Sequence, residues 1–380
     1  MQTEHLHLSH GFLPACDPLQ KLPAACEAWE ALAAVLPKLL LGTAFRKQVE
    51  TLPAFPLQAL RTAAEQERAM LLLSFIGHAY LWGCAPLVHK IPAVLAQPWC
   101  ALAQDLQRPP VLSYASYALH NWRRLDPQRP IELGNIALLQ NFLGGVDEEW
   151  FVLVHVDIEE KAGPALRKML PAQQAAKIQA PETLLTCLQE IVTSLEKMCL
   201  TLDRMPERCD PYIYYNRVRP YIHGWKNNPA LPEGLIYESC FDNKPQFFRG
   251  ETGAQSSIIP AFDRLLGIQH EEDELSVYLQ EMRLYMPQAH RAFLDQLAAQ
   301  PSIRDYVQQA GQKIPALREL YNRGLDGLVR FRLTHLQYAA LYIQKQSQQN
   351  SQNPNAVGTG GTPFMRYLSK HEKEAEKYRL

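Results

Sequence analysis

The residue whose type and setting point most directly to chemistry is His335, within Leu328-Val329-Arg330-Phe331-Arg332-Leu333-Thr334-His335-Leu336-Gln337-Tyr338. Wound as a helix, Leu328, Phe331, His335, Ala339 and Tyr342 share one face. Val329, Leu333, Leu336, Ala340 and Ile343 form a second apolar stripe, and Arg330, Thr334, Gln337 and Gln344 line the polar side. The pattern predicts His335 buried on the inward face of a core helix. Such an imidazole is either a core histidine satisfied by one hydrogen bond or a metal ligand. With no HxxxH or HxxE companion it cannot build a non-haem site alone, but one imidazole suffices as the axial ligand of a haem iron.

His155 lies in the apolar run Trp150-Phe151-Val152-Leu153-Val154-His155-Val156-Asp157-Ile158-Glu159. Flanked by valines, it reads either as structural or as a donor or acceptor facing a bound ligand. Arg217 and Arg219 stand beside Tyr212, Tyr214 and Tyr215: a guanidinium fork suits a substrate carboxylate and the aromatics suit a flat ring, while the plainer reading is a solvated cation stacked on tyrosine. Two runs of small residues, Gly250-Glu251-Thr252-Gly253-Ala254-Gln255-Ser256-Ser257 and Gly358-Thr359-Gly360-Gly361-Thr362, allow close backbone approach to a ligand. Neither has Walker or Rossmann spacing, and the second reads as the hinge of a mobile lid.

These side chains need a scaffold, and the composition supplies one. The 380 residues are 47% hydrophobic and 20% charged, enough for one large domain or two modest ones, and main-chain disorder is excluded. A formal net charge of −1 and the lack of a basic cluster argue against nucleic acid as a partner. The apolar runs are too interrupted for a membrane span and the N-terminus lacks a signal-peptide pattern, so the expectation is a soluble, cytoplasmic chain. Eight scattered cysteines without a CxxC pair read as reduced thiols rather than a zinc site or disulfide framework.

The elements read as mainly α. Helical spacing runs through Ala24–Leu41, Pro56–Trp82, Leu184–Asp203 with Pro181 in its first turn, Glu272–Leu284, Ala289–Ala299 and Ile314–Gln344, the last weakened by Gly324 and Gly327. The only strand-like alternation is Trp150–Ile158. A boundary near Gly144-Gly145 divides a smaller, mostly helical N-terminal domain, 1–143, from a larger all-helical one, 144–380. The polar tract Gln346–Asn355 opens a segment, about 346–362, expected to be mobile without substrate.

Further segments fix a resemblance: Gly11-Phe12-Leu13-Pro14, Leu112-Ser113-Tyr114-Ala115, Asn121-Trp122, Gly224-Trp225-Lys226, Ala254-Gln255-Ser256-Ser257, Phe262-Asp263-Arg264-Leu265-Leu266-Gly267, Arg283-Leu284-Tyr285-Met286-Pro287 and the GTGGT loop. In this order, over nearly the whole chain, they resemble the indoleamine 2,3-dioxygenase family of haem enzymes.

The resemblance implies a helical haem domain whose distal side is covered by the smaller domain, with haem b held by His335 as the proximal iron ligand and Asp263 and Arg332 near the haem on that side. It implies that Arg219 binds the amino-acid carboxylate, that Tyr114, Tyr117, Phe151, Tyr214 and Thr252 form the substrate pocket, and that Thr359 lies in the loop closing over the substrate amine. The implied reaction inserts both atoms of O2 across the indole C2–C3 bond of L-tryptophan or a close analogue, giving N-formylkynurenine, with an electron donor keeping iron ferrous. Three positions depart from the animal pattern, where serine, cysteine and phenylalanine stand in place of His155, Tyr117 and Tyr214. His155 could contact the indole N–H, as the distal histidine of the related tryptophan 2,3-dioxygenases does, and the added hydroxyls could equally fit a modified indole. A haem-dependent hydroxylase of such a substrate is the alternative, and a non-catalytic haem or ligand sensor a third reading.

Overall fold

The structure, a computed structural model, describes residues 6–271, 273–349, 359 and 374–380. Its first half carries α1 (Glu27–Ala34), α2 (Leu36–Leu39), α3 (Phe45–Glu50), α4 (Ala63–Trp82), α5 (Ala93–Asp105), α6 (Val146–Lys177) and α7 (Pro181–Leu202). The second carries the single turn α8 (Pro211–Ile213), then α9 (Ile258–Leu266), α10 (Glu274–Arg283), α11 (Gln288–Ala298), α12 (Arg304–Ala310), α13 (Pro315–Ala339) and α14 (Lys345–Gln349). Strands among the described residues are two residues long: β1 (Lys90–Ile91) pairs parallel with β4 (Ile236–Tyr237), and β2 (Arg123–Arg124) antiparallel with β3 (Ile136–Ala137). The fold is mainly α, as the sequence predicts.

Where the boundaries differ, local chemistry explains it. The expected helix over 24–41 breaks at Val35, because Pro37 fits the first turn of a new helix, α2, better than the interior of a long one. The helix expected from Pro56 starts at Ala63: Thr62 Oγ1 accepts the Glu65 N–H at 3.2 Å while Glu65 Oε2 accepts the Thr62 N–H at 2.9 Å, a capping box that fixes the start. Trp150–Ile158, read as strand-like, lies inside the 32-residue α6. Its run of apolar residues is buried on more than one side, which erases the helical period, and Asp147, Glu148 and Glu149 in the first turn favour helix initiation. Gly324 and Gly327 do not weaken α13. They let it pack close to α7, where a Cβ on Gly327 would lie 3.0 Å from Leu195 Cδ2.

Two clusters of buried side chains result. One gathers α1, α4, α5 and the segment after them around Trp29, Phe75, Trp99 and Trp122, and takes in Trp225, Tyr237 and Tyr285 from the second half. The other lies among α6, α7, α9, α11 and α13. The N-terminal part of α6 contributes to both, with Val152 and Val156 in the first and Val154 and Ile158 in the second. That position makes α6 the wall between them. All eight cysteines are free thiols. Among the described residues no helix is long and apolar enough to cross a membrane.

Candidate active site

α13 carries His335, and its surroundings correct the expectation of a core histidine. Leu328, Arg332 and Ala339 are buried, but His335 is exposed and Phe331, Leu333, Leu336, Ala340 and Ile343 around it are only half-buried. Even so, desolvation by the surrounding chain, with a smaller contribution from His155, lowers the imidazole pKa to about 4. The imidazole is thus accessible at its tip and desolvated by the chain packed around it. Its ring nitrogens make no hydrogen bond among the described residues, and no cluster of three or more His, Cys, Asp or Glu side chains there could hold a metal ion. This neutral nitrogen beside an apolar wall fits the axial position of a haem.

One turn before His335, Arg332 Nη2 donates to Asp263 Oδ1 and Oδ2 at 2.7 and 2.8 Å, tying α13 to α9. Burial pushes the Asp263 carboxyl up, but Arg332 and His270 outweigh it and hold it at about 2. His270 joins Asp263 at 3.1 Å through Nε2 and Glu374 at 2.6 Å through Nδ1. Burial lowers the His270 pKa, and the two carboxylates raise it above its ordinary value. Arg332 Nη1 stays buried without a hydrogen-bond partner among the described residues, which suits an anionic group such as a haem propionate.

Across the space, α6 lines up Phe151, His155 and Glu159 at helical spacing on one face. The His155 Nδ1–H donates to the Phe151 carbonyl at 2.7 Å; a carbonyl only accepts, so Nδ1 carries the proton and Nε2 is left as an acceptor. Desolvation lowers the His155 pKa, which keeps the ring neutral. The Phe151 ring lies 4.8 Å from His155 and 4.6 Å from Tyr214, and the Tyr114 ring lies 6.0 Å from His155. Tyr117 flanks Phe151 at 6.4 Å. Gln255 fixes this wall by accepting the Tyr114 N–H at 2.8 Å and donating to the Gly250 carbonyl at 2.9 Å.

Three π-helical turns serve the site: Ala115–Leu119 carries Tyr117, Tyr214–Val218 begins with Tyr214, and Ala340–Gln344 carries Tyr342, which packs on Tyr214 at 5.9 Å. The wider turn changes which residues share a face, and no spacing rule in the sequence signals it. Arg219 follows the second of these turns, fully buried, with its guanidinium 5.2 Å from the Tyr215 ring centroid. Burial lowers its pKa. The Gly224 and Gly250 backbones touch: a Cβ on Gly250 would sit 2.2 Å from Gly224 N. That contact sets the loop holding Glu251 and Thr252 against the Arg219 segment. The Thr252 side chain caps the Ala254 N–H, and Thr359 Oγ1 donates to the Glu251 carbonyl at 2.5 Å. Of the GTGGT segment, only Thr359 lies within the described residues; the expected mobility of 346–362 and its reading as a lid concern residues mostly outside them.

The predicted residues therefore fall into one group on α13 and α9 (His335, Arg332, Asp263) and a second on α6 and the segments packed on it (His155, Tyr114, Tyr117, Phe151, Tyr214), with Arg219, Thr252 and Thr359 on the adjoining segments. Sequence reasoning missed four acidic or basic groups. Glu159, whose carboxyl burial raises to about 7, takes hydrogen bonds from Tyr114 Oη and Ser256 Oγ, each at 2.9 Å; its place one turn after His155 was the available signal. Glu251 is a lone acid in a small-residue loop. His270 and Glu374 meet across 104 residues, and no local pattern marks such a contact.

The indoleamine 2,3-dioxygenase family model matches residues 2–378. The chain belongs to the indoleamine 2,3-dioxygenase family. It is 38% identical to rat indoleamine 2,3-dioxygenase 1 over 97% of this chain and 93% of the relative, and 33% identical to human indoleamine 2,3-dioxygenase 2 over 97% and 92%. It is also 31% identical to a 6-hydroxytryptophan 2,3-dioxygenase of Fusarium equiseti over 96% and 94%. As an indoleamine 2,3-dioxygenase it is a haem-dependent oxidoreductase that acts on indoles with O2. The lone accessible imidazole of His335, its apolar wall and the spare Arg332 nitrogen suit that cofactor.

Proposed function

We propose that the enzyme cleaves the indole C2–C3 bond of L-tryptophan or a close analogue to N-formylkynurenine, using haem b, whose iron His335 would hold. The observation that carries this reading is the aromatic wall around His155, with the Phe151 ring 4.8 Å from His155 and 4.6 Å from Tyr214, together with the accessible imidazole of His335 on α13. Bound haem supplies the oxygen chemistry. The chain supplies binding, orientation and exclusion of water.

Arg219 receives the substrate carboxylate. Its guanidinium is out of water, so an anionic partner there is favoured by more than a surface pair would be. Phe151 and Tyr214 hold the indole plane, and Nε2 of His155 accepts the indole N–H, which fixes which ring edge faces the haem. Thr252 and Thr359 belong to the segments that close over the amine. Residues 1–143 cover the distal side and 144–380 hold the cofactor. Asp263 and Arg332 brace the His335 helix, Arg332 meeting a propionate. A one-electron donor maintains ferrous iron, and the cytoplasm is the compartment these reduced thiols suit.

The test is an aerobic assay of the haem-loaded, reduced protein with L-tryptophan. N-formylkynurenine is the expected product, and haem loading without product from any indole rejects the proposal. The polar side chains at 117, 155 and 214 favour a second reading, oxygenation of a modified indole by single-atom insertion. Labelled O2 separates them, since the dioxygenase product carries two labelled atoms and a hydroxylated product one.

A further inference from the structure

The buried acid Glu159 has no part in the substrate contacts proposed above. It lies one turn after His155 on the same face of α6 and is 0% exposed. The N-terminal segment packs directly on this turn: Gly11 adopts a φ of +65°, and a Cβ there would lie 2.0 Å from the Glu159 carbonyl oxygen. The carboxyl meets two hydroxyls. Its Oε1 accepts from Tyr114 Oη and from Ser256 Oγ, each at 2.9 Å. Tyr114 is thereby held at both ends, because its backbone N–H donates to Gln255 Oε1 at 2.8 Å. The Tyr114 ring stands edge-on to His155, with centroids 6.0 Å apart and planes at 75°. The other ring against the imidazole among the described residues is Phe151, 4.8 Å away, whose carbonyl accepts the Nδ1–H at 2.7 Å.

We propose that Glu159 is a positioning residue for the substrate ring: by clamping the Tyr114 hydroxyl it holds that ring against His155 and so aims the imidazole at the indole N–H. The inference rests on the indole-cleaving reading of this site, in which His155 Nε2 accepts that N–H. Burying a carboxyl is costly, and an apolar pair of similar volume at 114 and 159 would pack with a smaller penalty. What the polar clamp adds is direction. A hydrogen bond from a phenol fixes where the ring swings, whereas apolar packing alone leaves it more freedom. The hydroxyl spent on Glu159 is also withdrawn from the substrate, so Tyr114 offers the pocket its ring. His155 has its own hydrogen bond to a carbonyl of the same helix, and the tilt of its ring is set by its two aromatic neighbours. Of those two, Tyr114 alone comes from outside α6, and Glu159 with Gln255 holds it in place.

The experiment measures dissociation constants on the holoenzyme from the Soret shift, for L-tryptophan and for 1-methyl-L-tryptophan, which has no N–H. The unaltered enzyme is expected to bind tryptophan about tenfold tighter. Glu159→Ala and Tyr114→Phe each cut that ratio by roughly fivefold or more, with the ligand-free Soret band and the helical circular dichroism unchanged. Glu159→Gln, which still accepts from both hydroxyls, keeps most of it. Combining Glu159→Ala with His155→Phe lowers the ratio no further than His155→Phe alone, because both act on one contact. Where Glu159→Ala does not fold, Tyr114→Phe, which removes only the clamped hydroxyl, decides the same question. A variant that loses affinity for both ligands equally overturns the inference, since that is what a purely structural residue gives. So do a ratio that neither variant moves, a double variant whose effects add, and equal affinities in the unaltered enzyme. Cleavage of tryptophan with a ratio independent of Glu159 leaves the proposed reaction standing and this inference rejected; a ratio set by Glu159 in an enzyme that leaves the indole ring intact does the reverse.

Discussion

On the His335 side the carboxylates are paired: Arg332 bonds both oxygens of Asp263 through Nη2, and His270 bridges Asp263 and Glu374. On the His155 side, two polar atoms equally removed from water have no hydrogen-bond partner among the described residues: Tyr117 Oη and Glu159 Oε2. The first arrangement fixes a helix. The second stores desolvated polar groups that a ligand can satisfy, so one flank is built for rigidity and the other for recognition.

The contrast can be broken most severely at His335. His335→Ala is expected to abolish haem retention, read as loss of the Soret band after desalting, while the apoprotein keeps its helical circular dichroism. A variant that holds haem with an unchanged spectrum would remove His335 as the ligand. Next in size, Arg219→Leu should lower kcat/KM for tryptophan by roughly a hundredfold or more, because it removes a buried charge-pair partner. A loss no larger than a surface lysine gives would place the carboxylate elsewhere.

Asp263→Asn tests the paired flank. It strands the Arg332 charge and should cost about 3 kcal/mol of stability in urea unfolding at neutral pH. The sign of the pH dependence follows from the depressed pKa of Asp263, about 2 against an ordinary value near 4: its contribution is present above the ordinary value and is lost as pH falls toward 2. The variant's deficit should therefore shrink over that acid window. The unpaired flank has the opposite sign. Glu251 is raised from its ordinary value of 4.5 to about 8, so its contribution is fully present below the ordinary value and is lost as pH rises from there to about 8. Glu251→Gln should flatten that decline of stability, a smaller effect visible by comparing melting temperatures at pH 5 and 9. The smallest change expected is that of His155→Phe, about tenfold in kcat/KM for tryptophan and near none for 1-methyltryptophan, which has no N–H to give.

What the sequence made legible follows the same division. His335 was legible from the apolar faces of its helix and Arg219 from the tyrosines beside it, and the long amphipathic helix α7 shows its period plainly. The exposure of His335 was not legible, since helical spacing ranks faces by hydrophobicity and cannot tell a core from an apolar cavity wall. The α6 segment 150–158 was misread because a helix buried on several sides loses its period. The His270–Glu374 pair depends on a tertiary contact between distant residues, and the π-helical turns at Tyr117 and Tyr214 on a single extra residue per turn.

The central claim is that this site breaks an indole ring with both atoms of O2. The most direct measurement is the mass of the product formed from L-tryptophan, and in parallel from a hydroxytryptophan, under isotopically labelled O2. A formylkynurenine-type product containing two labelled oxygen atoms is expected. A product with one labelled atom and an intact indole ring would contradict it.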